Sequence, residues 1–434
     1  MAFGKRDAAL LIPFFVFLIL LLPLKEGFTD DGFIHIQYAR NIIERGEYSF
    51  NPGTVSFGTT SPLWVLLQAA LGKIFGGAAV LVATSRIASW TSGFLAILVL
   101  FLFARKLAGD RLIAFLSALV FSADAWFVRW TAMSMETASA VFVMACVGLA
   151  SIDGYTNRRS ALMLGFFMGV AALVRPEAYL FMPIFVLALF LQGGRVDNRC
   201  AAATIGMFLA VVVPWLLFAR LHIGSFLPNT AGAKSGGIVT NPLVFVEKFA
   251  PIVKIIGSTQ GIWGLFILLS LVASRRSSVI LSRPLRFVVL CVVSLPVTYV
   301  IFDMQVLSRY LLLVTPFIAV MGVLACSEVL RRWALPDRSR RLALVIVSIT
   351  AVVVSAGFYV IAVVPPSRAF SRDLTHELKD LAVYLKDHSA EDDVVAAADI
   401  GYLAFYSDRK VLDLGGLVEP ATGMLRKQYT YEEI

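Results

Sequence analysis

The sequence predicts an all-α polytopic membrane protein of about eleven transmembrane helices, with interfacial helices in its first outer loop and a small outer α/β segment at its C-terminus. Three observations predict it. The 434 residues are 59% hydrophobic and only 15% charged, with mean hydropathy +0.81, well beyond the roughly half-apolar, quarter-charged balance of soluble domains. Apolar stretches near the roughly 20-residue length that crosses a bilayer recur from Ala8 to Val364. The short polar segments between them carry clusters of Arg in alternation.

Taken in order, the predicted spans are Ala8–Leu24, Val82–Ala104, Leu112–Ala123, Met135–Ala150, Ala161–Val174, Tyr179–Leu191, Ala201–Ala219, Gln260–Ala273, Leu285–Phe302, Tyr310–Leu330 and Leu342–Val364. The first follows Lys5 and Arg6 in the manner of a signal peptide, but no small-x-small site precedes Asp30, so it is expected to be a retained helix. With the N-terminus inside, the cytoplasmic connections hold 18 of the 38 basic residues, among them Arg105, Lys106, Arg158, Arg159 and the run from Arg331 to Arg341. This asymmetry orients the chain: N-terminus cytoplasmic, C-terminal segment extracytoplasmic, in a bacterial-type cytoplasmic (inner) membrane. Ser61–Phe75 is apolar but short, and a crossing there would reverse every later cluster, so it is expected to be re-entrant or interfacial. Both flanks of Arg175-Pro176-Glu177 are basic, which makes that tripeptide the outward apex of a hairpin of two short spans.

The outer side then holds a first loop from Lys25 to about Ser61, a stretch from Asp124 to Ser134, a loop from Arg220 to Thr259, and the tail beyond Pro365. Residues 1–364 form the membrane domain, with 25–61 as its first outer loop, and 365–434 the outer segment. The tail's composition shifts to 13 acidic and 8 basic residues, with an amphipathic helix at Leu374–Leu385 and short strands at Val394–Ala398 and Lys410–Leu414. At this length it is marginal alone and is expected to dock on the membrane part. The net charge of +9 is explained by topology and does not indicate a nucleic-acid partner. Cys146, Cys200, Cys291 and Cys326 lie in or beside apolar runs as small core residues.

Thr29-Asp30-Asp31-Gly32-Phe33-Ile34-His35 places two adjacent carboxylates directly after the first span. The plainer reading is a helix start, with Thr29 and the acids capping exposed amides and complementing the helix dipole. The functional reading is a base at the membrane surface. His35, His222, His376 and His388 show no metal-ligand spacing, so no zinc site is expected; a divalent cation held by Asp30 and Asp31 is the one metal option the residues leave open.

The string from Asp30 to Ile42, followed by Phe50-Asn51-Pro52-Gly53 and Gly58-Thr-Thr-Ser61-Pro62-Leu63-Trp64, resembles the first loop of the GT-C glycosyltransferases. It is most similar to the branch with the actinobacterial arabinofuranosyltransferases and mannosyltransferase-like enzymes. The likeness continues through Met135-Glu136-Thr137, Arg175-Pro176-Glu177, Phe226-Leu-Pro228-Asn229-Thr230 with Lys234, Ser308-Arg309-Tyr310, Asp399-Ile-Gly401 and Asp413-Leu-Gly415. Relatives carry a longer outer domain, which implies a short member or a piece of a longer chain.

The resemblance implies a polyprenyl-phosphate sugar donor entering from the lipid bilayer, a glycan, lipid or protein acceptor, and inversion at the anomeric carbon, in cell-envelope glycan or glycoconjugate assembly. A lipid phosphate is already a competent leaving group, so the chemistry asks mainly for a base near the acceptor hydroxyl. Asp30 or Asp31 fits, Asp30 being favoured by the resemblance alone. Arg175, Lys234 and Arg309 are the candidates for gripping the donor phosphate, and His35, Arg40, Glu136 and Glu177 for other substrate contacts. Against that stands a structural reading in which Arg175 pairs with Glu177 and Arg309 with Asp303. Two alternatives from other classes stay open: a transporter or flippase of a lipid-linked sugar, and a non-catalytic envelope assembly protein.

Overall fold

The structure is a computed structural model that describes residues 5–191, 197–226, 228–229, 237–274, 278–333 and 336–419. Helices occupy all eleven predicted stretches. They are α1 (Leu11–Leu21), α4 (Leu81–Ala108), α5 (Arg111–Ser122), α7 (Thr137–Ser151), α8 (Arg158–Val174), α9 (Phe181–Leu191), α10 (Asn198–Phe218), α11 (Pro242–Ser274), α12 (Arg286–Ile301), α13 (Thr315–Arg332) and α14 (Asp337–His388). Among the described residues, five helices are long and apolar enough to cross a membrane, six if the bent pair of α5 and α6 (Ala125–Ala132) is one span. Two more, α2 (Asp30–Arg45) and α3 (Pro62–Phe75), lie in the first loop.

Three sequence expectations need correction. The stretch from Asp124 to Ser134 is mostly the buried helix α6, which bends 57° from α5. The bend is held by polar groups: Asp124 accepts from the Phe127 amide at 2.9 Å and from Gln260 Nε2 at 2.6 Å, which satisfies the backbone freed at the break. Helix α11 begins at Pro242 rather than near Gln260, so much of the expected Arg220–Thr259 loop is helical. Helix α14 does not stop near Val364 but runs unbroken through two π segments to His388. At about 1.5 Å per residue its 52 residues reach about 78 Å, far beyond the roughly 30 Å hydrocarbon layer, so its last part stands in water.

The interior is organised around α7 and α13, which bury nearly every side chain. Small residues permit the close approaches that replace hydrophobic driving force in lipid. On α8 a Cβ at Gly165 would lie 2.2 Å from the Thr204 carbonyl oxygen of α10, and one at Gly169 would lie 2.7 Å from Val211.

Beyond α14 the chain forms a β-α-β unit: β1 (Val394–Ala397), α15 (Gly401–Ser407) and β2 (Lys410–Asp413), with the strands parallel and Val395 opposite Val411. It sits on α2. The Phe33 ring lies 4.0 Å from Tyr402 and 5.3 Å from Tyr406, and the Asn51 side chain exchanges two 2.9 Å hydrogen bonds with the Val411 backbone in place of a neighbouring strand. A Cβ at Gly401 would meet the Asp30 carbonyl oxygen at 2.1 Å, so α15 reaches α2 only with glycine there.

Candidate functional site

Helix α2 starts as its sequence suggests: Thr29 is extended and its Oγ1 accepts from the Gly32 amide at 3.1 Å. The capping reading of Thr29 is therefore right, and the two aspartates follow it in the first turn of the helix. They point to different partners. Asp30 accepts from the amides of Gly401 (3.0 Å) and Tyr402 (2.8 Å), capping α15 from across the tail interface. Burial pushes its carboxyl up to about 6, further raised by Asp31 and Asp399 and moderated by the two amides. Asp31 instead faces a cavity of about 550 Å³ and meets Arg309 Nη2 at 2.6 Å.

The polar residues of that cavity come from five parts of the chain. Asp31 and His35 come from α2, one turn apart; Thr59 from the strand-like loop before α3; Glu136 from the entry to α7; Arg175 and Glu177 from the break between α8 and α9; Arg309 and Tyr310 from a helical turn at Ser308–Leu311. Pro176 forces Arg175 into an extended conformation (φ −144°, ψ 123°), which ends α8 and turns its side chain to the site. Glu136 is aimed by Ser134, a buried non-glycine residue at φ 58° whose hydroxyl donates to the Gly27 carbonyl at 3.2 Å.

Two ion clusters result. Arg175 donates from Nη1 to Glu136 (2.7 Å) and from Nη2 and Nε to Glu177 (2.8 and 3.2 Å), so all three of its nitrogens are committed. Arg309 donates to Asp31 and, weakly, to the Met135 sulfur at 3.5 Å, while its buried Nε has no hydrogen-bond partner. Aromatic faces support both cations: the Tyr310 ring centre is 5.1 Å from Arg175 and 5.3 Å from Arg309, and Trp130 is 5.3 Å from Arg309. A polar chain runs behind them. Thr59 Oγ1 is 2.7 Å from His35 Nδ1, and His35 Nε2 lies 3.3 Å from Glu136 Oε2, an ion-pair distance without an aligned hydrogen bond. The remaining wall is largely apolar and aromatic, including Ile34, Phe57, Leu180, Trp215 and Phe302. An amphipathic ligand with an anionic head suits such a cavity.

The predicted site residues therefore divide. Asp31, His35, Glu136, Arg175, Glu177 and Arg309 line one cavity. Asp30 does not line it and instead binds the tail. Arg40 does not face the cavity: it binds Glu44, the Phe405 carbonyl (3.0 Å) and Asp408 (2.5 Å), locking α15 to α2. Lys234 lies outside the described residues. The expected Arg175–Glu177 pair is present, whereas Arg309 does not pair with Asp303, which is held by Lys248 at 2.6 Å. Asp30 and Asp31 hold different partners, the Gly401 and Tyr402 amides for the first and Arg309 for the second. Thr59 and Trp130 were not legible as site residues, since a threonine and a tryptophan in apolar surroundings carry no chemical pattern of their own.

A domain of unknown function (DUF8728) matches residues 369–433. No curated protein matches the chain. Among solved structures, the chain is similar to ArnT from Cupriavidus metallidurans bound to undecaprenyl phosphate, with TM-score 0.64 and 16% identity over 96% of this chain and 89% of that one. It is also similar to the archaeal oligosaccharyltransferase AglB from Archaeoglobus fulgidus, in complex with an inhibitory peptide and a dolichol-phosphate, with TM-score 0.64 and 12% identity over 97% of this chain and 65% of that one. The fold of the chain is the GT-C fold.

Proposed function

We propose that this chain transfers a sugar, with inversion, from a polyprenyl-phosphate donor to an acceptor hydroxyl at the outer face of the cytoplasmic membrane. The observation that carries the reading is the Asp31–Arg309 pair at 2.6 Å in a cavity of GT-C architecture whose walls are otherwise largely apolar. Orientation rests on the basic connections in the sequence, and the lipid carrier on the solved relatives, which were captured with undecaprenyl phosphate and dolichol-phosphate.

In this reading Asp31 is the base. The acceptor oxygen attacks the anomeric carbon as Asp31 takes the hydroxyl proton, and the bond from that carbon to the phosphate oxygen breaks, its electron pair leaving with the phosphate. Arg309 bridges base and leaving group. It holds Asp31 through Nη2 and lines the cavity, where its guanidinium pairs with a phosphate oxygen and stabilises the charge that grows there. Arg175 holds Glu136 and Glu177 in place through one N–H on each of its three nitrogens, which makes it a positioning residue. The Thr59–His35–Glu136 chain fixes hydroxyl-binding groups beside the sugar. Asp30 secures the tail against α2 and so fixes the first turn on which Asp31 sits.

Incubating the purified protein with a panel of polyprenyl-phosphate sugars tests the proposal. Release of polyprenyl phosphate with at least one donor is expected. A folded protein that neither binds nor consumes any of them contradicts it.

A further inference from the structure

We infer that a second site, separate from the Asp31 cavity, binds the phosphate of an anionic glycerophospholipid from the surrounding bilayer. A groove of about 660 Å³ lies between the end of α1 and the part of α14 that leaves the membrane, lined by Pro23, Val360, Val364, Pro365, Arg368 and Arg372 among others. None of these residues lines the first cavity. At one end the groove is apolar and open: Val360 is 55% exposed and the adjacent Ile361 79% exposed, which places this height against lipid chains. One and two helical turns further on stand Arg368 and Arg372, the first cations after the apolar run from Leu342 to Val364. Their i, i+4 spacing puts both on one face, at the depth where a bilayer carries its phosphates.

These cations lack counter-charge. Arg368 gives its Nε–H to the Pro23 carbonyl at 2.9 Å and has no carboxylate within ion-pair distance among the described residues. Arg372 has one exposed contact, 3.5 Å to Asp373, of a kind that contributes little. Two guanidinium groups on one groove with a lipid-facing apolar end call for an anion that carries its own hydrocarbon. A glycerophospholipid without a headgroup cation supplies both, its acyl chain lying along Val360 and Val364 and its phosphate gripped by Arg368 and Arg372. A zwitterionic lipid brings its own cation and suits the site less. The inference does not depend on the reading of the Asp31 cavity.

Native mass spectrometry of the full chain in detergent, titrated with phosphatidylglycerol and separately with phosphatidylcholine, tests it. The wild-type chain is expected to retain one phosphatidylglycerol more tightly than phosphatidylcholine. Each arginine removed should weaken that binding roughly fivefold, so that the R368Q/R372Q double variant loses on the order of twentyfold or more. The R368K/R372K variant, which keeps the charge, should keep most of the preference. Equal retention of the two lipids by the wild-type chain overturns the proposal whatever the variants do. So does a preference for phosphatidylglycerol that survives in R368Q/R372Q.

Discussion

Gly401→Ala adds a single methyl group, and the structure says where it goes. The new Cβ would stand 2.1 Å from the Asp30 carbonyl oxygen and 2.9 Å from Phe33 Cβ, both on α2. Backbone cannot yield as a flexible side chain does, so α15 must retreat by about 1 Å or more to restore ordinary van der Waals contact. The amides of Gly401 and Tyr402, now 3.0 and 2.8 Å from Asp30, would then sit near 4 Å and cease to donate. Hydrogen bonds to a charged group are worth about 1.5–3 kcal/mol each, a gross loss of about 3–6 kcal/mol. Part is recovered because the buried Asp30 carboxylate regains water. A net loss of about 1–3 kcal/mol in the docking of the tail is expected, seen as a lower melting temperature and faster proteolysis after residue 388. The same retreat loosens the first turn of α2, and a misplacement near 1 Å can cost about 10²-fold in turnover. Wild-type melting and wild-type turnover in Gly401→Ala would refute both the docking geometry and its coupling to Asp31.

Three further outcomes follow from the ion clusters. Arg175→Gln removes the guanidinium that pairs with buried Glu136 and half-buried Glu177 and should destabilise by about 3–5 kcal/mol, measured by thermal unfolding in detergent. Arg309→Gln removes one partner of Asp31, whose side chain is 37% exposed, so it should cost less stability but weaken donor binding more; the reverse ranking in melts and donor titrations would contradict the assigned roles. The pH dependence has a definite sign. Asp30 rises from 3.8 to about 6 on folding, so its contribution is complete below pH 4 and is lost as pH climbs through 6, by up to about 3 kcal/mol at 1.36 kcal/mol per pH unit. Asp408 goes the other way: burial alone would raise it, but Lys386 and Arg40 hold it below the usual carboxylate range, so its contribution fades only as pH falls below 4. Melts between pH 4 and 7 should therefore show stability declining with pH in the wild-type chain and a flatter profile in Asp30→Asn.

The helical stretches were legible because lipid imposes a length and a polarity that no soluble helix needs, and the strands at Val394 and Lys410 because their apolar runs are short and bounded by turns. What composition could not give was continuity. Polar residues after Val364 read as the end of a span, yet α14 continues in water because nothing in Ser367–Lys379 breaks a helix. Asp124 read as an outer-loop residue, since a buried aspartate reveals itself only once Gln260 and the Phe127 amide are found beside it. The site shows the same division. The residue types at Asp30, Asp31, Arg175 and Arg309 announce ion chemistry, but the partners of Asp30, Asp31 and Arg309 are hundreds of residues away. The residues alone left the two aspartates equivalent and the resemblance favoured Asp30, whereas packing against Gly401 turns Asp30 to the tail and Asp31 to the cavity. Arg40 was mistaken for a substrate contact because its partner Asp408 belongs to a unit whose docking is tertiary.

The central claim is that Asp31, and not Asp30, takes the acceptor proton. Single-turnover transfer by Asp31→Asn and Asp30→Asn, with donor affinity measured on the same preparations, tests it most directly once a donor is in hand. Asparagine nearly preserves shape but removes basicity, so Asp31→Asn should slow transfer by about 10²- to 10⁴-fold while donor affinity changes far less. Asp30→Asn should retain most of the transfer rate once its tail is docked at low temperature. Near-normal transfer by Asp31→Asn, or a loss in Asp30→Asn as deep as that expected of Asp31→Asn in a fully docked protein, would contradict the account.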